Sequence, residues 1–167
     1  MVTAPETADA LKLAMRQMAA TVSVIATRTD DGHRAAMTAT SVTCVAMDPP
    51  SMLVCINRKT AFHPVMTAAD NFSINILAAG QDRLASACGG GAPAAERFGT
   101  DDWSQSADGT PFVAGGLSAL VCRKVATWDH GTHTIIVGNV VEVHAGPAAT
   151  PLVYQGGSYR QLDKAAA

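Results

Sequence analysis

Two short groups of residues in this chain could do chemistry. The first is Ala35-Ala36-Met37-Thr38-Ala39-Thr40-Ser41-Val42. Hydroxyls on both faces of a strand, separated only by small side chains, let a flat ligand approach the backbone and bond to its amides and to the hydroxyls. The β-propensity of threonine alone accounts for the same composition. The second group, Asn57-Arg58-Lys59-Thr60, lies at a strand end and helix start. Free amides, a hydroxyl and two cations there could hold a phosphate, or form an ordinary solvated turn.

Other motifs fail on context. Gly89, Gly91 and Ala94 satisfy G-x-G-x-x-[GA], but helical residues precede them and Pro93 breaks the segment in which a helix would have to start, so a dinucleotide-binding strand-turn-helix is missing. Neither a P-loop nor a G-x-S-x-G elbow occurs. His130 and His133 sit three apart in a turn and strand start, too loose to define a coordination sphere, and no other set has metal-ligand spacing, so no metal is expected. Asn71-Phe72-Ser73 matches a glycosylation acceptor by chance, inside a predicted strand.

These groups need a scaffold, and hydrophobic periodicity outlines one. Leu11, Ala14, Met15 and Met18 predict a helix over 8–20, with Thr7 or Asp9 as cap. Residues 21–27 and a run starting near His33 form a hairpin about Asp30-Asp31-Gly32. The second run, 34–47, ends at Asp48-Pro49-Pro50, and a third strand covers 51–57. A short helix over 61–69 takes Thr60 as N-cap, a strand over 71–77 alternates apolar with polar residues, and a short helix spans 81–87. Glycine-rich 88–116 reads as a long mobile loop with one or two anchors. Two long strands, 117–128 and 133–143, and a short pair within 151–162 complete a single domain over 1–167, with flexible tails at 1–8 and 163–167. Many strands, few helices and no regular alternation predict a mainly β, antiparallel barrel with peripheral helices.

Composition narrows the function classes. Of 167 residues, 48% are hydrophobic and 16% charged, with mean hydropathy +0.15, which excludes a disordered chain and points to an oligomer. A net charge of −2 offers no basic field for nucleic acid. Residues 1–9 lack the pattern of a signal peptide and no run of eighteen apolar residues occurs, so a soluble, cytoplasmic protein that avoids membranes is expected. Cys44, Cys55, Cys88 and Cys122 form no C-x-x-C pair and predict buried thiols in a reducing compartment.

Taken together, the ordered segments resemble the short-chain flavin reductase family, the reductase components of two-component flavin-dependent monooxygenases. The resemblance runs through Leu11-Lys12-Leu13-Ala14-Met15, Met37-Thr38-Ala39-Thr40-Ser41-Val42, Met47-Asp48-Pro49-Pro50 with the strand 52–56, and residues 71–77. It continues through Glu96-Arg97-Phe98, the strand 133–140, Pro151-Leu152-Val153-Tyr154 and Gly157-Ser158-Tyr159. It implies a Greek-key split β-barrel homodimer that binds FMN or FAD, reduces it with NADH or NADPH, and supplies the reduced flavin to a separate monooxygenase component. It nominates Thr38, Ala39, Thr40 and Ser41 along the flavin, Cys55, Ile56, Asn57, Lys59 and Thr60 on the ribityl-phosphate side, and Phe98 as a cover. On the nicotinamide side it nominates His133, with Tyr154 and Tyr159 as further candidates. The family usually carries Gly-Asp-His where this chain has Gly131-Thr132-His133, so Thr132 replaces the carboxylate. No side chain is expected to be catalytic, because hydride exchange is the cofactors' own chemistry. A non-catalytic flavin-binding sensor or carrier on the same barrel is the alternative.

Overall fold

The computed structural model describes residues 4–99 and 103–162. Its helices are α1 (Ala4–Gln17), α2 (Phe62–Ala68) and α3 (Asp82–Ser86). The strands are β1 (Ala20–Thr21), β2 (Ser23–Arg28), β3 (Arg34–Ala39), β4 (Val42–Met47), β5 (Pro50–Asn57), β6 (Asn71–Ile76) and β7 (Trp103–Gln105). They continue with β8 (Pro111–Val113), β9 (Ser118–His130), β10 (His133–Ala145), β11 (Leu152–Gln155) and β12 (Ser158–Gln161).

Seven strands form one antiparallel sheet in the order β3-β2-β6-β9-β10-β5-β4. Its two edges, β3 and β4, are consecutive in the chain and joined only by Thr40 and Ser41. A link of two residues spans only about 10 Å, so the sheet must roll until its edges meet. This is the expected antiparallel barrel, left unpaired at one seam. The run 34–47, read as one strand, is therefore two, because the chain crosses that seam between them. A smaller sheet, β1-β11-β12, lies beside the barrel, and β7 pairs with β8.

The interior holds Ile25, Val54, Ile56, Phe72, Ile74 and Ile136, with Phe62 and Met66 of α2 packed among them. Val22, Val24, Leu77, Leu84, Val113 and Leu152 form a second cluster. Because β2 sends Ile25 to one cluster and Val24 and Ala26 to the other, both its faces are buried. Gly138 of β10 lets Phe72 lie close, since a Cβ there would sit 2.7 Å from its ring.

Several element boundaries differ from expectation for local reasons. Helix α1 starts at Ala4, so residues 4–8 are helical, and it ends at Gln17 because Ala20 and Thr21 pair with β11. The rest of the expected tails, residues 1–3 and 163–167, lies outside the described residues. Ala61, not Thr60, is the N-cap of α2, since the Thr60 hydroxyl donates to Asn57 O at 2.8 Å. At the other end of that helix, Lys124 Nζ donates to the carbonyls of Met66, Thr67 and Ala69 at 3.2, 2.7 and 2.5 Å.

The polar residues Ser73 and Asn75 of β6 point to a second buried layer. Ser73 donates to Pro111 O at 2.6 Å, Asn75 donates to Val24 O at 2.8 Å, and the Val113 amide donates to Asn75 Oδ1 at 2.7 Å. These bonds dock β8 and give structure to the described parts of the segment 88–116. Arg97 adds a bond to Ala36 O at 2.8 Å, and Trp103 donates to Arg97 O at 3.0 Å. All four cysteines are free thiols, but only Cys88 and Cys122 are buried. Burial pushes these two up to about 11 and about 12 respectively. Cys55 is half-buried and Cys44 is exposed, because β4 is an edge strand.

Candidate functional site

Strands β5 and β10 run side by side, with Leu53 opposite Val137, Cys55 opposite Ile135 and Asn57 opposite His133. The two-residue period of a strand places these six side chains on one face. It is the outer face of the barrel, since the alternates Val54, Ile56 and Ile136 are in the core. The seam residues adjoin it, as the Cys55 amide donates to Ser41 O at 3.1 Å, and Thr40 and Ser41 are both exposed.

Helix α1 roofs this face. Between them lies a cavity of about 1350 Å³, with Leu11, Met15 and Arg16 on the helix side and Ser41, Leu53, Cys55 and His133 on the barrel side. Thr40, Thr132, Tyr154 and Gln155 complete much of the wall. Pockets for one small molecule run to about 1,000 Å³, so this one has room for two stacked planar groups. The last turn of α1 is tied down by the Gly156 amide donating to Arg16 O at 2.9 Å and by Gln155 Nε2 donating to Gln17 O at 3.0 Å.

Charge in the cavity wall is sparse. Lys12 pairs with Asp9 at 2.9 Å on the exposed helix surface, while Arg16 has no ion-pair partner among the described residues. Near the end of β9, before the turn to His133, Asp129 accepts the Thr134 hydroxyl at 2.6 Å and Arg58 Nη1 at 3.2 Å. The Thr134 hydroxyl, followed by the Arg58 charge, holds this carboxyl below its ordinary value against slight desolvation. Arg58 also donates to Gly131 O at 2.6 Å and its amide to Thr132 O at 3.0 Å, which fastens the turn to the end of β5. Gly131 adopts a φ of 55°, a left-handed conformation that suits glycine.

Of the residues nominated from sequence, Thr40, Ser41, Cys55, His133 and Tyr154 line the cavity. Asn57 shares the face of Cys55, but its Oδ1 accepts the Lys59 amide at 2.9 Å, and with Thr60 these residues form the turn beside His133. Thr38 donates its hydroxyl to Ala85 O at 2.5 Å, and Ala39 and Ile56 face the core. Tyr159 stands edge-on to Tyr154 with centroids 5.5 Å apart. Phe98 lies outside this wall, 4.6 Å from the Trp103 ring and beneath the Arg34 guanidinium. Sequence reasoning missed Arg16, Leu53 and the apolar face of α1. Leu53 was within reach, because it stands two residues before Cys55 on the same strand face.

Comparison with known proteins shows the family. Residues 15–163 match the model of the flavin reductase like domain. The chain is 37% identical over 146 residues to the reductase component of an FADH2-dependent resorcinol hydroxylase from Rhizobium sp. strain MTP-10005, covering 87% of this chain and 82% of that one. It is also 37% identical over 159 residues to an FMN reductase (NADH) from Stutzerimonas stutzeri strain A1501, covering 95% and 91%. Among solved structures, the NADH:FAD oxidoreductase SgcE6 of Streptomyces globisporus C-1027 matches with a TM-score of 0.89 at 28% identity, covering 99% of both chains. That protein has also been solved with NAD and FAD fragments. With one domain model spanning residues 15–163 and relatives above one-third identity over nearly the full length, this chain belongs to the flavin reductase like domain family.

Proposed function

We propose that this chain uses NADH or NADPH to reduce FMN or FAD and delivers the reduced flavin to a separate monooxygenase component. The observation that carries this reading is the roofed cavity on the outer face of β5 and β10, large enough for two stacked rings and walled by hydroxyls, apolar side chains and one imidazole. When both are bound, the nicotinamide and flavin supply hydride exchange between themselves. What remains for the protein is to hold the two rings in contact and keep water out.

Each part of the wall has a task in that scheme. Thr40 and Ser41 offer hydroxyls and seam amides to the polar edge of the flavin, and Leu53 and Cys55 form a flat floor. Thr38, Ala39 and Ile56 shape that floor from behind. Asn57, Lys59 and Thr60, in the turn after β5, serve the phosphate side through the Asn57 amide group and the Lys59 ammonium, since the Lys59 amide and the Thr60 hydroxyl already donate within the turn. His133 faces the nicotinamide, flanked by Tyr154 with Tyr159 behind it. Phe98 braces β3 through Arg34 at a distance from the ring site.

The functional unit is a homodimer. Val45 and Met47 on β4, Val125 and Trp128 on β9, and Val141 and Val143 on β10 are exposed, with Met47 at 79%. An apolar surface of this extent on a small barrel fits a second copy of the chain. Among the described residues no helix is long and apolar enough to cross a membrane, and the free thiols suit a reducing cytoplasm.

Oxidation of NADH or NADPH, followed with FMN or FAD in turn, tests the reading and identifies the preferred pair. Flavin binding without pyridine-nucleotide oxidation overturns it in favour of a flavin carrier or sensor.

A further inference from the structure

The end of β9, just before the turn to β10, carries one carboxylate and commits it away from the cavity. Asp129 accepts the Thr134 hydroxyl at 2.6 Å and Arg58 at 3.2 Å. The imidazole of His133 is met by a hydroxyl, since Thr132 Oγ1 lies 2.9 Å from His133 Nδ1. Both residues line the cavity. Among the described residues Thr132 Oγ1 has no other partner, and His133 Nε2 has none.

A hydroxyl and a carboxylate constrain an imidazole in different ways. A carboxylate can only accept, so beside Nδ1 it requires the proton there and leaves Nε2 of a neutral ring as an acceptor. A hydroxyl can donate. Donation from Thr132 to Nδ1, which the 2.9 Å contact permits, puts the ring proton on Nε2. The ring then presents an N–H to the cavity without carrying charge. Anionic parts of a ligand have another partner in the same wall, Arg16. A neutral donor is suited to a neutral acceptor, and on the reduced pyridine nucleotide that acceptor is the carboxamide oxygen.

We propose that Thr132 is a positioning residue that holds neutral His133 as an Nε2–H donor toward the nicotinamide carboxamide. This inference rests on the flavin reductase reading above. The charged and titratable groups around the imidazole are Asp9, Lys12 and Arg16 of α1 across the cavity, Cys55 of β5 and Tyr154 of β11 in the same wall, His130 opposite it on β9, and the pair of Asp129 near the end of β9 with Arg58 just after β5. All are unchanged in the variants that test it.

The imidazole nitrogens of the intact protein, labelled with 15N, give a readout independent of turnover. Nδ1 should be unprotonated and Nε2 protonated in neutral His133, and a proton on Nδ1 overturns the proposal. In steady-state assays Thr132→Val should raise KM for NADH about five- to tenfold, the loss expected for one hydrogen bond, with kcat within about twofold. Thr132→Ser should restore KM. Thr132→Asp should raise KM and shift its pH dependence upward relative to the parent, because a carboxylate favours the imidazolium. Unchanged KM in Thr132→Val, or failure of serine to restore it, overturns the proposal. Absence of NADH oxidation in the parent protein is a different result, which defeats the functional reading while the nitrogen spectrum still reports the tautomer.

Discussion

Cys55 provides a chemical test of where the flavin sits. Its side chain lines the cavity and is half-buried, whereas Cys88 and Cys122 are enclosed and their raised values leave little thiolate. Alkylation of the native protein should therefore label Cys44 and Cys55, and saturating FMN or FAD should slow labelling of Cys55 by about tenfold or more, a protection set by site occupancy. Peptide mapping by mass spectrometry distinguishes the two, and unprotected Cys55 would place the flavin elsewhere. The hydroxyls divide in a similar way. Replacing Thr40 and Ser41 together by alanine should weaken flavin binding by about 1–3 kcal/mol. Thr38→Val should lower stability by about 0.5–1.5 kcal/mol and leave flavin titrations unchanged, because that hydroxyl is used on Ala85 O. At this scale the motif from Met37 to Ser41 was legible, but not the division of labour within it. Alternation along a strand separates Cys55 from Ile56, while the bond from Thr38 to Ala85 joins residues 47 apart and leaves no local trace.

Among the elements, β10 depends on a residue with no side chain. Gly138→Ala would drive a methyl group to 2.7 Å from the Phe72 ring and 2.8 Å from Cys122 Cβ. Overpacking of this kind should cost about 1–3 kcal/mol, measurable by denaturant titration. The segment that carries β8 has a pH-sensitive fastening. Asp108 is partly desolvated, which raises its value, but the Ser106 hydroxyl and the Thr110 amide more than offset this and leave it below the ordinary carboxylate range. A depressed folded value means that Asp108 contributes stability above its unfolded value of about 3.9, and that the contribution fades as pH falls through the lower folded value. Asp108→Asn should thus flatten the acid limb of the stability curve below about pH 4, and an unaltered limb would assign acid sensitivity to other carboxylates. The sequence of 88–116 looks loop-like because its anchors are buried partners far along the chain. Asn75 and Ser73 read as the polar side of a half-exposed strand until Pro111 and Val113 are seen to cover them.

For the molecule as a whole, the proposed dimer predicts its own disruption. Val143→Asp introduces a charge into the exposed apolar face of β10, 60% exposed at that residue in the single chain. Sedimentation should shift from dimer toward monomer at micromolar protein, whereas a parent that is already monomeric would remove the proposal. The barrel itself was readable from strand count, turn residues and the lack of regular β–α alternation. Its seam was not, because a two-residue link between β3 and β4 looks like continuous strand until the pairing order separates them by the width of the sheet. The roof of the cavity has a consequence for the product. Every described side chain of α1 is exposed, and its last turn is tied to the β11–β12 turn by bonds that no core residue shares. Flavin bound beneath it should slow amide hydrogen exchange along α1 while exchange in β6 and β9 stays as in the free protein. If that protection is observed, the reduced flavin would leave as the helix lifts, with the barrel folded through every turnover.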